Sequence, residues 1–181
     1  MFRPVRRSSR WLIAIALLGL AQESVAAEPS IVPVIIVGPF SNDQQDSIRQ
    51  AAGEWNRTLN GHIRFEIRPI TGAPKVWAVT AVLKSRVNNK DEELAMTTTL
   101  QTGGGLVFVY LDRLGSRNLE GIMLHEFGHV LGLQHEGTRG LMAATYNPYD
   151  QKCVDYAAAA QAARLYNLPL QELKWCGESG R

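Results

Sequence analysis

The chain has 181 residues, a formal net charge of +2, 45% hydrophobic and 20% charged residues, and only two cysteines. A chain of this length can bury a substantial core, and its composition excludes a disordered polymer, a collagen and a disulfide-dense miniature fold. No apolar run is long enough for a polytopic membrane protein, and the near-neutral charge is not that of a nucleic-acid-binding protein. We therefore expect a globular protein with no nucleic-acid partner.

The first 27 residues have the three parts of a secretory signal peptide. Four arginines within residues 3–10 precede an apolar run at residues 11–21, and small residues follow at 25–27. An uncleaved membrane anchor is the alternative, although the run is short for a bilayer. Removal of residues 1–27 changes the net charge to −1. The sequence thus predicts a secreted or periplasmic protein, with one domain over residues 28–181 and no membrane attachment after cleavage.

One helix and five strands are predicted in the first part of the remaining chain. A β-branched apolar run predicts a strand at residues 31–37, and a capping box formed by Ser41 and Gln44 predicts the start of a helix with one apolar face. Alternation of polar and apolar residues predicts a half-buried strand at residues 62–70. Three further apolar stretches predict strands: residues 76–83, 95–100 and 106–111.

Two helices are predicted in the second half. Residues 118–133 are apolar nearly all round, which is typical of a buried helix. The alanine-rich residues 155–165 predict a second helix, which Asn167 and Pro169 would stop. The segment between these helices is irregular, and the chain shows no internal repeat. This order of elements indicates one α+β arrangement.

Three of the four histidines fall within eleven residues, in the pattern H-E-x-x-H-x-x-G-x-x-H that begins at His125. His125 and His129 lie one turn apart on one face of the predicted helix, so both imidazoles can bind the same metal ion. Gly132 can adopt the left-handed conformation that ends a helix, and the resulting turn can bring His135 toward the other two. Three imidazoles leave one tetrahedral position open for water, which is the arrangement of a catalytic zinc.

Glu126 follows the first of these histidines and cannot ligate the same ion from its place on the helix. It can reach a zinc-bound water, act as general base and pass the proton to the leaving amine. The alternative is a buried helix that carries histidines by chance, but unligated imidazoles are costly to bury. The pattern therefore predicts one zinc per chain and a hydrolase in which Glu126 is catalytic.

The eleven-residue pattern resembles the zinc motif of the metzincin metallopeptidases, and the chain is most similar to the matrixin branch. Residues 140–143 (GLMA) are similar to the Met-turn of that family, in which Met142 would form an apolar floor beneath the imidazoles. Tyr146 matches the position at which matrixins have a tyrosine in the wall of the main specificity pocket. Glu136, directly after the third histidine, is instead similar to the astacin branch.

The resemblance implies an α+β fold of the metzincin-like zincin type. A twisted mixed sheet with two helices would lie above a cleft, and a small, mostly irregular C-terminal part would contain one helix. In this family an extended peptide pairs with the edge strand of the sheet. Residues 106–111 could be that strand, and a central core strand is the alternative.

The resemblance also implies a zinc-dependent endopeptidase with a protein or peptide substrate. Because no cysteine precedes Cys153, the cysteine-switch propeptide of matrixins is not expected, and latency would need a separate inhibitor protein. A second zinc is not expected, since His62 is the only histidine outside the motif. Calcium could be bound at residues 90–93, but their spacing matches no defined calcium loop.

Export would place the chain in an oxidising environment. Cys153 and Cys176 are therefore expected to form a disulfide, with two free thiols as the alternative. The resemblance to matrixins implies that the segment after Met142 lines the main specificity pocket. Between Met142 and Gln151 this segment carries two tyrosines and no Lys or Arg, so the pocket is expected to be apolar and aromatic-walled. Two other functions stay open: a zinc hydrolase that acts on cell-wall peptide cross-links, and a non-catalytic binding module stabilised by zinc.

Overall fold

A computed structural model of the chain describes residues 30–69, 75–83, 93–101, 103–149 and 151–177. The predicted signal peptide and three of the four residues considered for calcium lie outside the described residues. The elements in chain order are β1 (Ser30–Val37), α1 (Asn42–Thr58), β2 (Ile63–Ile67), β3 (Trp77–Val82), β4 (Ala95–Thr99), β5 (Gly105–Tyr110), α2 (Leu111–Leu114), α3 (Leu119–Val130), α4 (Tyr156–Tyr166) and the 3₁₀ turn Leu170–Glu172.

The five strands form one mixed sheet in the order β2-β1-β3-β5-β4. The pairs β2-β1, β1-β3 and β3-β5 are parallel, and β4 runs antiparallel to β5 at one edge. Strand β5 is therefore internal, and its Val107 and Val109 are fully buried. The hypothesis that residues 106–111 form the edge strand is wrong, because β4 occupies that edge. The alternative, a central core strand, is what the structure contains.

Helix α1 begins at the predicted capping box. Ser41 Oγ accepts from the Gln44 N–H at 3.3 Å, and Gln44 Oε1 accepts from the Ser41 N–H at 2.9 Å. Ile48 and Trp55 on its apolar face are fully buried. Trp55 Nε1 donates to the carbonyl of Leu124 on α3 at 2.9 Å, which satisfies a buried indole N–H and ties α1 to α3.

Helix α3 ends at Val130, whereas the sequence predicts that it continues to residue 133. The reason is Gly132, whose φ of 85° lies in the left-handed region. The Gly132 N–H donates to the carbonyl of His129 at 2.9 Å, and the Leu133 N–H donates to the carbonyl of Gly128 at 2.9 Å. These two bonds form a Schellman motif, which turns the chain out of the helix axis.

The C-terminal part consists of irregular chain, α4 and the disulfide between Cys153 and Cys176. Asp155 caps α4, since its carboxylate accepts from the Ala158 N–H at 2.8 Å, and it also accepts from the Leu141 N–H at 2.7 Å. The fold class is thus α+β, as predicted, with a mixed sheet and a mostly irregular C-terminal part that contains one α-helix. None of the described helices is both long and apolar enough to cross a bilayer.

Candidate active site

Helix α3 and the turn that ends it bring three imidazoles together. His125 and His129 lie one turn apart on α3, with their Nε2 atoms 3.0 Å apart. The Schellman turn returns the chain so that His135 Nε2 lies 3.2 Å from that of His125 and 3.1 Å from that of His129. The three Nε2 atoms therefore form a nearly equilateral triangle.

This triangle has the dimensions of a zinc site. Zinc–nitrogen bonds of about 2.0–2.1 Å in tetrahedral geometry separate the nitrogens by about 3.3 Å. The observed separations of 3.0–3.2 Å are close to that value. Lone pairs of neutral imidazoles at such distances repel each other unless a cation or a proton lies between them. The donor set and its spacing thus fit a zinc ion bound by His125, His129 and His135.

Backbone carbonyls fix the orientation of the two helical histidines. His125 Nδ1 lies 2.7 Å from the carbonyl oxygen of Leu141, and His129 Nδ1 lies 2.8 Å from that of Leu133. Because a carbonyl can only accept, each Nδ1 is assigned the proton, and each Nε2 presents a lone pair to the site. Burial lowers the pKa of His125 to about 4 and also lowers that of His129, so both rings are neutral at pH 7.

Glu126 is buried beside the histidine triangle and is only 5% exposed. Its Oε2 accepts a hydrogen bond from Thr97 Oγ1 on the edge strand β4 at 2.6 Å. Burial raises the pKa of Glu126 to about 7, and the hydrogen bond from Thr97 acts in the opposite direction. The carboxyl group can therefore exchange a proton near neutral pH. Sequence analysis did not find Thr97, because the contact joins residues 29 positions apart.

Met142 lies beneath α3, where the resemblance to the Met-turn predicted it. It is 3% exposed, and its Sδ lies so close to Gly128 that a Cβ at that position would overlap the sulfur. The Met142 carbonyl accepts from the Glu136 N–H at 2.9 Å, which ties the third-histidine segment to the Met-turn. Sequence analysis did not single out Gly128. A glycine in a helix interior, where it is unfavourable, was the signal that could have found it.

The triangle opens into a cavity of about 910 Å³. Its lining combines the three histidines and Glu126 with residues from β4, α3 and the segment after Met142: Ala95, Met96, Thr97, Thr99, Ile122, Ala143, Ala144, Tyr146 and Gln151. Tyr146 lies in this wall, with its hydroxyl accepting from the Asn118 N–H at 3.1 Å. Tyr149 does not contribute to the wall, since it is 80% exposed. The buried Gln151 adds a polar side chain to a wall that was predicted to be apolar.

The remaining predicted residues lie apart from this cavity. The Cys153–Cys176 disulfide links the chain before α4 to the chain after it, with Cα atoms 6.0 Å apart. His62 Nε2 lies 3.0 Å from a carboxylate oxygen of Glu172, on a different surface from the histidine triangle. Glu136 is exposed, and Gln161 Nε2 donates to its Oε2 at 2.9 Å.

Comparisons with known proteins agree with this geometry. Residues 87–166, a range that ends with α4, match the family model of the matrixins. A search of curated protein sequences finds no significant match. Among solved structures, the fold is similar to that of high choriolytic enzyme 1, a hatching enzyme zinc-protease from the medaka fish Oryzias latipes. The TM-score is 0.52 and the identity 16%, over 77% of this chain and 90% of that one.

The match of residues 87–166 to the matrixin model and the similarity in fold both support a metzincin zinc metallopeptidase, that is, a metalloendopeptidase.

Proposed function

We propose that the chain hydrolyses peptide bonds of protein substrates outside the cytoplasm, with zinc held by His125, His129 and His135 and with Glu126 as general base. The observation that carries this proposal is the convergence of three imidazole Nε2 atoms and one buried carboxyl group on a single cavity. A purely structural zinc site has four protein ligands and needs no buried base beside it. This arrangement therefore favours catalysis over a binding module.

When bound to the three imidazoles, zinc would polarise a peptide carbonyl and lower the pKa of water. Glu126 has the properties that a general base needs beside such an ion. Burial raises its pKa to about 7 in the metal-free protein, and as a carboxylate beside the ion it could accept a proton from water and release it to the leaving amine. The Thr97 hydroxyl holds Oε2, and Oε1 has no hydrogen-bond partner among the described residues. The free oxygen is thus the one that would accept the proton.

Substrate binding is inferred from the edge strand and the cavity wall. Among the described strands, β4 has a neighbour on one side only, so an extended peptide could pair with its other side. Such a peptide would run along the cavity beside Glu126. Tyr146, Ile122 and Ala143 form an apolar part of the wall, which favours a hydrophobic side chain directly after the cleaved bond. Apolar pockets discriminate weakly, by about 1–3 kcal/mol per methylene, so selectivity among Leu, Met and Phe should be modest.

Two features support action outside the cytoplasm. The Cys153–Cys176 disulfide is typical of proteins that fold in an oxidising compartment. Residues 1–27 have the composition of a secretory signal peptide. A periplasmic or secreted enzyme of this kind would meet folded proteins and peptides, and a separate inhibitor protein would be a suitable regulator.

A cleavage-site profile tests the proposed function. The protein without residues 1–27 is incubated with a peptide library made from a digested proteome, and new termini are identified by mass spectrometry. We expect cleavage before hydrophobic residues that is lost on zinc chelation and in Glu126→Gln. Cleavage dominated by acidic or basic residues after the bond would refute the pocket assignment. No cleavage of peptides together with release of cell-wall cross-link peptides would favour the other hydrolase function.

A further inference from the structure

The segment that carries His135 is attached to α4 through one side chain. Gln161, on α4, extends its amide toward the backbone of Gln134. Its Oε1 accepts from the Gln134 N–H at 2.7 Å, and its Nε2 donates to the Gln134 carbonyl at 3.3 Å. The same Nε2 donates to Glu136 Oε2 at 2.9 Å. One amide thus binds both residues that flank His135.

We call this group the Gln161 clamp (Gln134, Glu136 and Gln161); its three bonds use both amide N–H groups and one lone pair of the amide oxygen. The carbonyl oxygen accepts once, and each of the two amide N–H groups donates once. The orientation of the amide is defined, because the flipped amide would place an N–H against the Gln134 N–H. No described residue outside this segment shares a hydrogen bond with the Gln161 side chain.

The helix that carries the clamp is itself well anchored. Asp155 caps its first turn and binds the Leu141 N–H, while the disulfide of Cys153 lies just before it. At the other end, Tyr166 Oη donates to the carbonyl of Leu131 at 2.7 Å. Helix α4 is therefore a fixed support on which a side chain can hold an exposed segment in place.

His135 needs such a support more than the other two histidines do. His125 and His129 are held by helix α3 and by a hydrogen bond from each Nδ1 to a carbonyl. His135 is exposed, lies outside any helix, and its Nδ1 has no hydrogen-bond partner among the described residues. Its ring position depends on the backbone of the residues beside it.

We propose that Gln161 is a positioning residue that holds His135 in the geometry required of the third zinc ligand. The proposal rests on the proposed function, in that it requires zinc at the three histidines. Removal of a residue that orients a metal ligand typically weakens metal binding by about 10–100-fold. The clamp acts through the backbone, so its effect should be on how long zinc is retained.

The test measures zinc release rather than catalysis. Zinc-loaded protein is mixed with an excess of the chromogenic chelator 4-(2-pyridylazo)resorcinol, and the rate of colour formation is recorded. Gln161→Met keeps the length of the side chain and suits a helix, but it removes all three bonds. We expect zinc release about 10–100-fold faster than in the wild type. Arg164→Ala is the matched control, because Arg164 lies one turn further on α4 and contacts Glu136 only as an exposed ion pair at 3.8 Å. It should release zinc within about twofold of the wild-type rate.

An exchange of charges keeps the test decisive if Gln161→Met does not fold. Gln161→Glu alone removes both donations and sets two carboxylates against each other, so zinc release should be fast. Combining it with Glu136→Gln restores a donor and an acceptor, and the double variant should release zinc more slowly than Gln161→Glu. Wild-type release rates in Gln161→Met and Gln161→Glu would overturn the proposal. A wild-type protein that holds no zinc would instead refute the proposed function.

Discussion

The two halves of the histidine triangle are built in different ways. His125, Glu126 and His129 come from buried helix α3, where one helical turn sets their spacing and backbone carbonyls orient both imidazoles. His135 comes from an exposed segment that follows the helix, and it is held only through its neighbours. The first half is positioned locally by helix geometry. The second half depends on contacts with the Met-turn and with α4.

This difference shows which part of a composite site can vary. A helix delivers two ligands and a base at defined spacing from eleven or fewer residues. A third ligand from a turn needs a glycine at the helix end and partners from distant parts of the chain. Changes in α3 should therefore affect chemistry directly, whereas changes in residues 131–142 should act through retention of the metal.

Glu126→Gln should produce the largest effect on activity. The amide keeps the size of the carboxyl group and can still accept from Thr97, but it cannot take a proton from water. We expect kcat/KM to fall by about 10²–10⁴-fold, measured on a fluorogenic peptide. Zinc content should remain one per chain by atomic absorption. Near wild-type cleavage by this variant would remove Glu126 from the mechanism.

Single ligand deletions compare the two halves of the triangle directly. His129→Ala leaves one ligand on the helix and one on the exposed segment, whereas His135→Ala leaves the pair that α3 holds one turn apart. Both variants should bind zinc more than about 100-fold more weakly, since loss of a ligand exceeds loss of its supporting partner. Competition with a chelator should show tighter residual binding in His135→Ala. Tighter binding in His129→Ala would mean that the helix is not the better-organised half.

The buried carboxyl group should make stability of the metal-free protein depend on pH. Burial raises the pKa of Glu126 from 4.5 to about 7, so the folded state holds a proton that the unfolded state has lost. Below about pH 4.5 both states are protonated, and the wild type and Glu126→Gln should differ little. Above pH 7 the wild type has a buried charge, and Glu126→Gln should be more stable by up to about 3 kcal/mol.

Urea denaturation of both proteins after chelation, at several pH values, measures this difference. His125 and His129 titrate in both proteins, so their contributions cancel in the comparison. A stability difference that does not change between pH 4.5 and pH 8 would contradict the assigned pKa.

Gly128→Ala tests the contact between the two halves and should have the smallest effect. Alanine is about 1 kcal/mol more favourable than glycine inside a helix. Here, however, its Cβ would overlap Met142 Sδ beneath the site. We expect a net loss of about 1–3 kcal/mol in the free energy of unfolding. Gly53→Ala on α1 is the matched control, because nothing lies within 4 Å of a Cβ there. In thermal unfolding, Gly53→Ala should be as stable as the wild type or slightly more stable.

Local patterns were sufficient to predict most of the elements. The capping box of Ser41 and Gln44 starts α1, and alternation identifies β2. The predicted end of α3 lies three residues beyond the observed end, because hydrophobic periodicity continues to Leu133 while Gly132 turns the backbone. Strand β5 could not be assigned to the edge or the centre from its composition, since strand order depends on contacts between distant segments.

The site itself can be predicted from one short segment. Four of its groups lie within eleven residues, and helix periodicity together with one turn glycine is enough to bring three imidazoles and a carboxyl group to one place. The two cysteines of the sequence also allowed a disulfide to be expected, and the structure contains it.

The surroundings of that site depend on how distant segments pack together. The hydroxyl of Thr97 on Glu126, the packing of Met142 against Gly128, the buried Gln151 in the cavity wall and the amide of Gln161 beside His135 each join segments that are distant in the chain. A side chain's partner across such a distance depends on how the sheet, α3 and α4 pack together. No periodicity or spacing in one segment contains that information, because the contact forms only when the two surfaces meet.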